Sequence, residues 1–106
     1  MKAKRYITTN EEYNKLSEEE KRALKNWIKK NFIPTERTYL DGWTSYGLKH
    51  VFEESFGGFY VTNDQFKWAM LECGFKPKDP SALNWKFKIS KRSPGLVEWY
   101  RNNGWL

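Results

Sequence analysis

The stretch from Tyr60 to Ile89, Y-V-T-N-D-Q-F-K-W-A-M-L-E-C-G-F-K-P-K-D-P-S-A-L-N-W-K-F-K-I, constrains the fold more than any other part of the chain. It opens on a helix start. Thr62 can cap the first free backbone N–H groups and Gln65, three places on, can reach back to it, while Val61 and Phe66 stand where a hydrophobic staple closes. Gly74 falls where a helix end calls for positive φ. After a turn at Asp79-Pro80-Ser81, the residues Trp85, Phe87 and Ile89 alternate with Lys86 and Lys88, so a strand here has one apolar and one cationic face. The pattern predicts a helix from Asn63 to Cys73 followed by a basic β-hairpin. Its first strand, Phe75 to Asp79, is short or at an edge because of Pro77, and its second runs from Asn84 to Ser90.

The rest of the chain reads as helical. Thr9-Asn10-Glu11-Glu12 is a capping pattern that predicts a helical turn from Asn10 to Leu16, and Ser17-Glu18-Glu19-Glu20 restarts the chain as a longer helix. Its acidic first turn and the late Lys29 and Lys30 complement the helix dipole. Leu24, Trp27, Ile28 and Phe32 share one stripe, and Pro34 ends the segment. In the connector 35–43, Tyr39, Leu40 and Trp43 are too apolar for an idle loop, so they fold onto the core or form a contact surface. Thr44 or Ser45 then caps a helix running to about Phe56, with Leu48, Val51 and Phe52 inward, and Gly57-Gly58 stops it. Pro94 and Gly95 open a last helical piece carrying Leu96, Val97, Trp99 and Tyr100. The expected fold is therefore α+β and winged-helix-like: three main helices, a short basic β-hairpin and a C-terminal helical turn. It is expected as a single domain, with a basic arm at 1–8, a helical segment at 9–33, the winged-helix-like core at 44–90 and an extension at 94–106.

Composition narrows the function. The 106 residues carry 19 Lys and Arg against 13 Asp and Glu, a net charge of +6, which attracts phosphates and acidic proteins alike. Aromatic residues make up 18%, well above what a disordered chain shows. One cysteine, Cys73, and one histidine, His50, allow neither an internal disulfide nor a structural zinc site. The N-terminus lacks the apolar run of a signal peptide, and no stretch approaches a membrane span, so a cytoplasmic protein without membrane contact is expected.

Enzyme chemistry finds little footing, and a non-catalytic protein without cofactor or metal is expected. The helical pattern places Cys73 on a core face and His50 on the outer side of its helix, which separates the only nucleophile–base pair of this type. Gly57-Gly58 lacks the Lys-Ser or Lys-Thr of a phosphate loop. Nucleic acid is the better match. Lys76, Lys78, Lys86, Lys88, Lys91 and Arg92 lie on or beside the hairpin and suit phosphates, and Lys2, Lys4 and Arg5 of the arm can join them. Asn63, Gln65 and Lys67 on the preceding helix have side chains that can read base edges, but they are few. Trp68 and Leu71 on the same helix suit a groove badly, although Trp68 could stack on an unpaired base. Weak, largely sequence-independent or single-strand binding follows. The same two residues also suit a protein-docking surface or self-association.

A resemblance supports both readings. Tyr46-Gly47-Leu48-Lys49-His50, then Phe59-Tyr60-Val61-Thr62-Asn63-Asp64-Gln65-Phe66, Ala69-Met70 and Gly74-Phe75 resemble a pattern in small proteins of phages and mobile elements. The layout over residues 44–90 is similar to the winged-helix end of phage and plasmid primase-helicases, which implies that fold and a phage or mobile-element setting. A free-standing chain is expected here, without a helicase, and the aromatic terminal segments fall outside the pattern. Phage proteins of this size also include inhibitors that dock on host or defence nucleic-acid enzymes, among them anti-CRISPR proteins, and Trp68 and Leu71 would be the anchors of such a module.

Overall fold

A computed structural model describes residues 9–104; the basic arm with Lys2, Lys4 and Arg5, and the final Trp105-Leu106, lie outside the described residues. Four α-helices follow a short 3-10 turn at Tyr13–Lys15: α1 (Glu18–Asn31), α2 (Ser45–Glu54), α3 (Asn63–Glu72) and α4 (Pro94–Asn102).

The helix starts are chemical. Ser17 Oγ accepts from the Glu20 N–H at 3.1 Å and Glu20 Oε1 accepts from the Ser17 N–H at 2.8 Å, so α1 opens with a reciprocal capping box. The same pair of bonds joins Thr62 and Gln65 at the head of α3, at 3.1 and 2.8 Å. Val61 and Phe66, on either side of that cap, are both fully buried. At the other end of α3, the Gly74 N–H donates to the Leu71 carbonyl at 2.9 Å and the Phe75 N–H to the Met70 carbonyl at 3.0 Å. Gly74 lies at φ +91°, which completes a Schellman stop.

α3 is the centre of the molecule: α1, α2 and the 3-10 turn all pack on it. Leu24, Ile28 and Phe32 from α1 and its end, Leu48, Val51 and Phe52 from α2, and Phe66, Ala69 and Met70 from α3 form one core. Trp27 stays half-buried and meets Phe32 and Phe52 edge to face at 5.1 and 5.2 Å. α4 closes the core with Leu96, which is 1% exposed.

The α+β, winged-helix-like expectation is overturned, because the described residues are helical and contain no strand or sheet. The alternation itself is present: Trp85, Phe87 and Ile89 are buried, while Lys86 and Lys88 are half-exposed. Its hydrogen bonds go elsewhere. The carbonyls of Trp85, Phe87 and Lys88 accept from the N–H groups of Ser45, Leu40 and Thr35 at 2.7, 3.0 and 3.2 Å, and the Ser90 N–H donates to the Ile33 carbonyl at 2.8 Å. From the expected first strand comes one bond, Lys78 N–H to the Lys86 carbonyl at 2.9 Å. A ladder needs donors at regular intervals, and Pro34, Pro77 and Pro80 have none to offer. The Ile89 N–H turns back onto the Phe87 carbonyl at 3.1 Å, which takes another donor out of register. What remains is an isolated bridge between Pro34 and Ile89. Residues 84–90 are an extended segment threaded against the 33–45 connector, with their apolar side sunk into the helical core.

Candidate functional site

The α3 residues expected to read bases are engaged inside the protein. The Asn63 side-chain amide donates to the Leu83 carbonyl at 3.3 Å and to Asn84 Oδ1 at 2.9 Å. Gln65 holds the helix cap and also donates from Nε2 to the Glu12 carbonyl at 2.9 Å. Lys67 is fully buried; its Nζ donates to the Leu83 carbonyl at 2.7 Å and sits 4.5 Å from the centre of the Trp85 ring. Asp64 is 3.8 Å away. Burial pushes the Lys67 ammonium below its ordinary pKa, and the Asp64 carboxylate opposes this only in part. Helical periodicity turns Lys67 away from the apolar stripe, but the 83–85 segment covers Asn63 and Lys67, and Glu12 meets Gln65. Trp68 and Leu71 are likewise half-buried and packed against the core, not raised as anchors.

The cations that remain available gather elsewhere. Lys91 and Arg92 occupy the two central positions of a tight turn, whose Ser93 N–H donates to the Ser90 carbonyl at 3.0 Å. Side chains pin this turn. The Arg92 N–H donates to Ser90 Oγ at 3.1 Å, and Ser93 Oγ donates to the Ser90 carbonyl at 2.6 Å while accepting from the Ile33 N–H at 2.8 Å. Ser93 is fully buried, and Lys91 and Arg92 point to water. On the connector, the Arg37 N–H donates to Thr35 Oγ1 at 3.3 Å, a similar local turn.

Residues of both turns line one open cleft of about 710 Å³. Three cationic residues, Arg37, Lys91 and Arg92, line it against one acid, Asp41. None of the three cations has an ion pair among the described residues. Leu40, Ile89 and Leu96 contribute its apolar surface, and Tyr39, Trp43 and Tyr100 its rings. The rings are held in place: Trp43 Nε1 donates to the Tyr100 hydroxyl at 2.9 Å and Trp43 meets Trp99 edge to face at 5.2 Å. Lys78 and Lys88 both lie over the Tyr39 ring, at 5.7 and 5.3 Å, and extend the positive field along the same side. Of the residues expected to touch nucleic acid, Lys91 and Arg92 are in the cleft wall and Lys88 borders it through Tyr39. Lys86 is half-exposed on the same extended segment. Arg37, Tyr39, Trp43 and Tyr100 were not foreseen as a group. Their one sequence signal was the excess of apolar residues in the connector.

Such a surface can hold anionic groups at its rims and flat rings against its walls. The nucleophile and base candidates have other partners. Cys73 Sγ lies 3.6 Å from the Lys25 carbonyl and burial pushes its thiol up, whereas His50 Nδ1 sits 3.0 Å from Glu53 Oε1. Among the described residues no cluster of His, Cys, Asp or Glu could hold a metal ion, and no helix is long and apolar enough to cross a membrane. Compared with protein-family models, curated proteins and solved structures, the chain finds no match, so its function has to be argued from this surface.

Proposed function

We propose that the chain binds single-stranded nucleic acid, with little sequence preference, in the cleft between the connector and the Ser90–Ser93 turn. The observation that carries this is the set of three cations without ion-pair partners among the described residues, Arg37, Lys91 and Arg92, lining one open cleft together with three aromatic rings. Phosphates need cations whose charge is not already neutralised, and bases need exposed flat faces. A duplex hides those faces in its stack, and its major groove is read by a protruding helix or ribbon. The candidate reading helix, α3, has Asn63, Gln65 and Lys67 tied to the protein's own groups. A concave, aromatic-lined cleft fits a strand whose bases are already unstacked. The protein-docking alternative through Trp68 and Leu71 has less support, since both pack on the core.

Fluorescence anisotropy with labelled oligo-dT and oligo-rU at low salt tests the proposal. Binding near the non-specific range, Kd of about 1 to 100 µM, is expected, weaker for duplex of equal charge. The combined Arg37→Ala, Lys91→Ala and Arg92→Ala variant should lose it. Equal affinity in parent and triple variant, or no binding by the parent at low salt, would remove the proposal.

A further inference from the structure

A second surface, lined by other residues than the cleft, pairs an exposed ring with a groove. Phe56 is 104% exposed, the most exposed large apolar side chain among the described residues. The turn that presents it is rigid. The Gly58 N–H donates to the Ser55 carbonyl at 2.9 Å, and Ser55 Oγ donates to the Phe52 carbonyl at 2.6 Å. Gly57 lies at φ +82°, the value a type II turn requires at its third position. A Cβ on Gly58 would fall 2.0 Å from the Phe52 carbonyl oxygen, so nothing larger than glycine fits there. The chain thus holds a phenylalanine in water on a fixed support, where it buries almost nothing.

This ring lines one edge of a groove of about 510 Å³, whose other apolar lining is Trp27, Val51 and Trp99. Its polar residues are of mixed sign: Lys30 against Glu54 and Glu98. We propose that this face is a two-fold contact between copies of the chain, with Phe56 of each copy seated in the groove of the other. A knob and a hole on one surface are what a self-complementary contact needs, because a single rotation fills both grooves at once. The charge pattern agrees. The face carries both signs, so a two-fold contact can set Lys30 of one copy against Glu98 of the other, twice over. An exposed aromatic anchor entering an apolar pocket is the usual form of an interface hot spot. The groove and the cationic cleft have no lining residue in common, although Trp99 of the one packs on Trp43 of the other.

Sedimentation equilibrium of the full chain from about 10 µM to about 1 mM tests this, a range that spans the weak dimers expected of one anchor per copy. The expected result is a concentration-dependent rise from the 12.8 kDa monomer towards twice that mass. Phe56→Asp should weaken the dimer at least about tenfold. Its melting temperature as a monomer should match the parent's, because the ring is already in water. Lys30→Glu and Glu98→Lys should each weaken the dimer, and together restore it. A parent chain that stays monomeric throughout the range, or a Phe56→Asp variant that associates as the parent does, overturns the proposal.

Discussion

Replacing Lys67 by methionine separates two opposing contributions at the centre of the fold. Lys67 is completely buried, with one hydrogen bond to the Leu83 carbonyl and its charge over Trp85. Losing a charged hydrogen bond costs about 1.5–3 kcal/mol and losing a desolvated cation–π contact about 2 kcal/mol. Removing a buried charge and keeping an apolar side chain of similar length returns about 1–4 kcal/mol of desolvation. The Leu83 carbonyl is not orphaned, because Asn63 also donates to it at 3.3 Å. The loss exceeds the return at the middle of these ranges, so Lys67→Met should cost about 2 kcal/mol. Lys67→Ala also empties the volume of the stem and should cost about 2–4 kcal/mol more, a further fall of roughly 10–25 °C in Tm for a domain of this size. The pH dependence is a second readout. The folded-state pKa lies below the ordinary lysine value, so protonation favours the unfolded chain. The penalty is full at neutral pH and is relieved as pH rises through the folded pKa towards the ordinary one. Parent stability should therefore gain on the methionine variant over that alkaline window. Chemical denaturation of the three proteins at neutral and alkaline pH measures this. A methionine variant as unstable as the alanine one would show that the charge itself holds α3 to the 83–85 segment. Single-strand affinity should be the same in parent and methionine variant, since Lys67 never reaches solvent.

Salt should act on the cleft in a countable way. With three cations lining it, log K against log salt is expected to fall with a slope of about −2, so a roughly fourfold rise in salt weakens binding about 20-fold. Arg92→Ala should flatten the slope by about 0.7, and an unchanged slope in anisotropy titrations would take Arg92 out of the contact. At the other end of the molecule, burial pushes the Glu72 carboxyl up, but hydrogen bonds from Tyr13 at 2.9 Å and Lys25 at 3.1 Å outweigh it and hold the pKa below its ordinary value. Stability from this group is present above the ordinary glutamate pKa and is lost as pH falls through the folded one. Tm of the parent should drop between about pH 5 and pH 3, and Glu72→Gln should be less stable at neutral pH with a shallower acid limb. Parallel Tm–pH curves for the two proteins would refute this role.

The error over the hairpin has a local origin. Trp85, Phe87 and Ile89 do alternate in burial with Lys86 and Lys88, as a period of two demands. A period of two describes extended backbone, and says nothing of which segment answers its hydrogen bonds. Phe75 to Asp79 is nearest in sequence, yet Thr35 and Leu40 from the connector and Ser45 at the start of α2 supply most of the donors. The same gap hid the fate of Lys67. On a helix wheel it stands opposite the apolar stripe, and only the approach of Leu83 and Trp85 turns that side into an interior.

Taken alone, the amino-acid order determined where helices begin and stop, because the Thr62–Gln65 cap and the Gly74 stop are settled by residues a few places apart. It also determined which side chains along 85–89 turn inward, since alternation is a property of the backbone. Tertiary structure alone decided the partner of that segment, the burial of Lys67, the packing of half-buried Trp68 on the core, and the meeting of Arg37 with Lys91 and Arg92 in one cleft. Backbone donors and acceptors are alike at every residue, so pairing across long separations is chosen by which packing buries the most apolar surface while leaving the fewest polar groups unpaired.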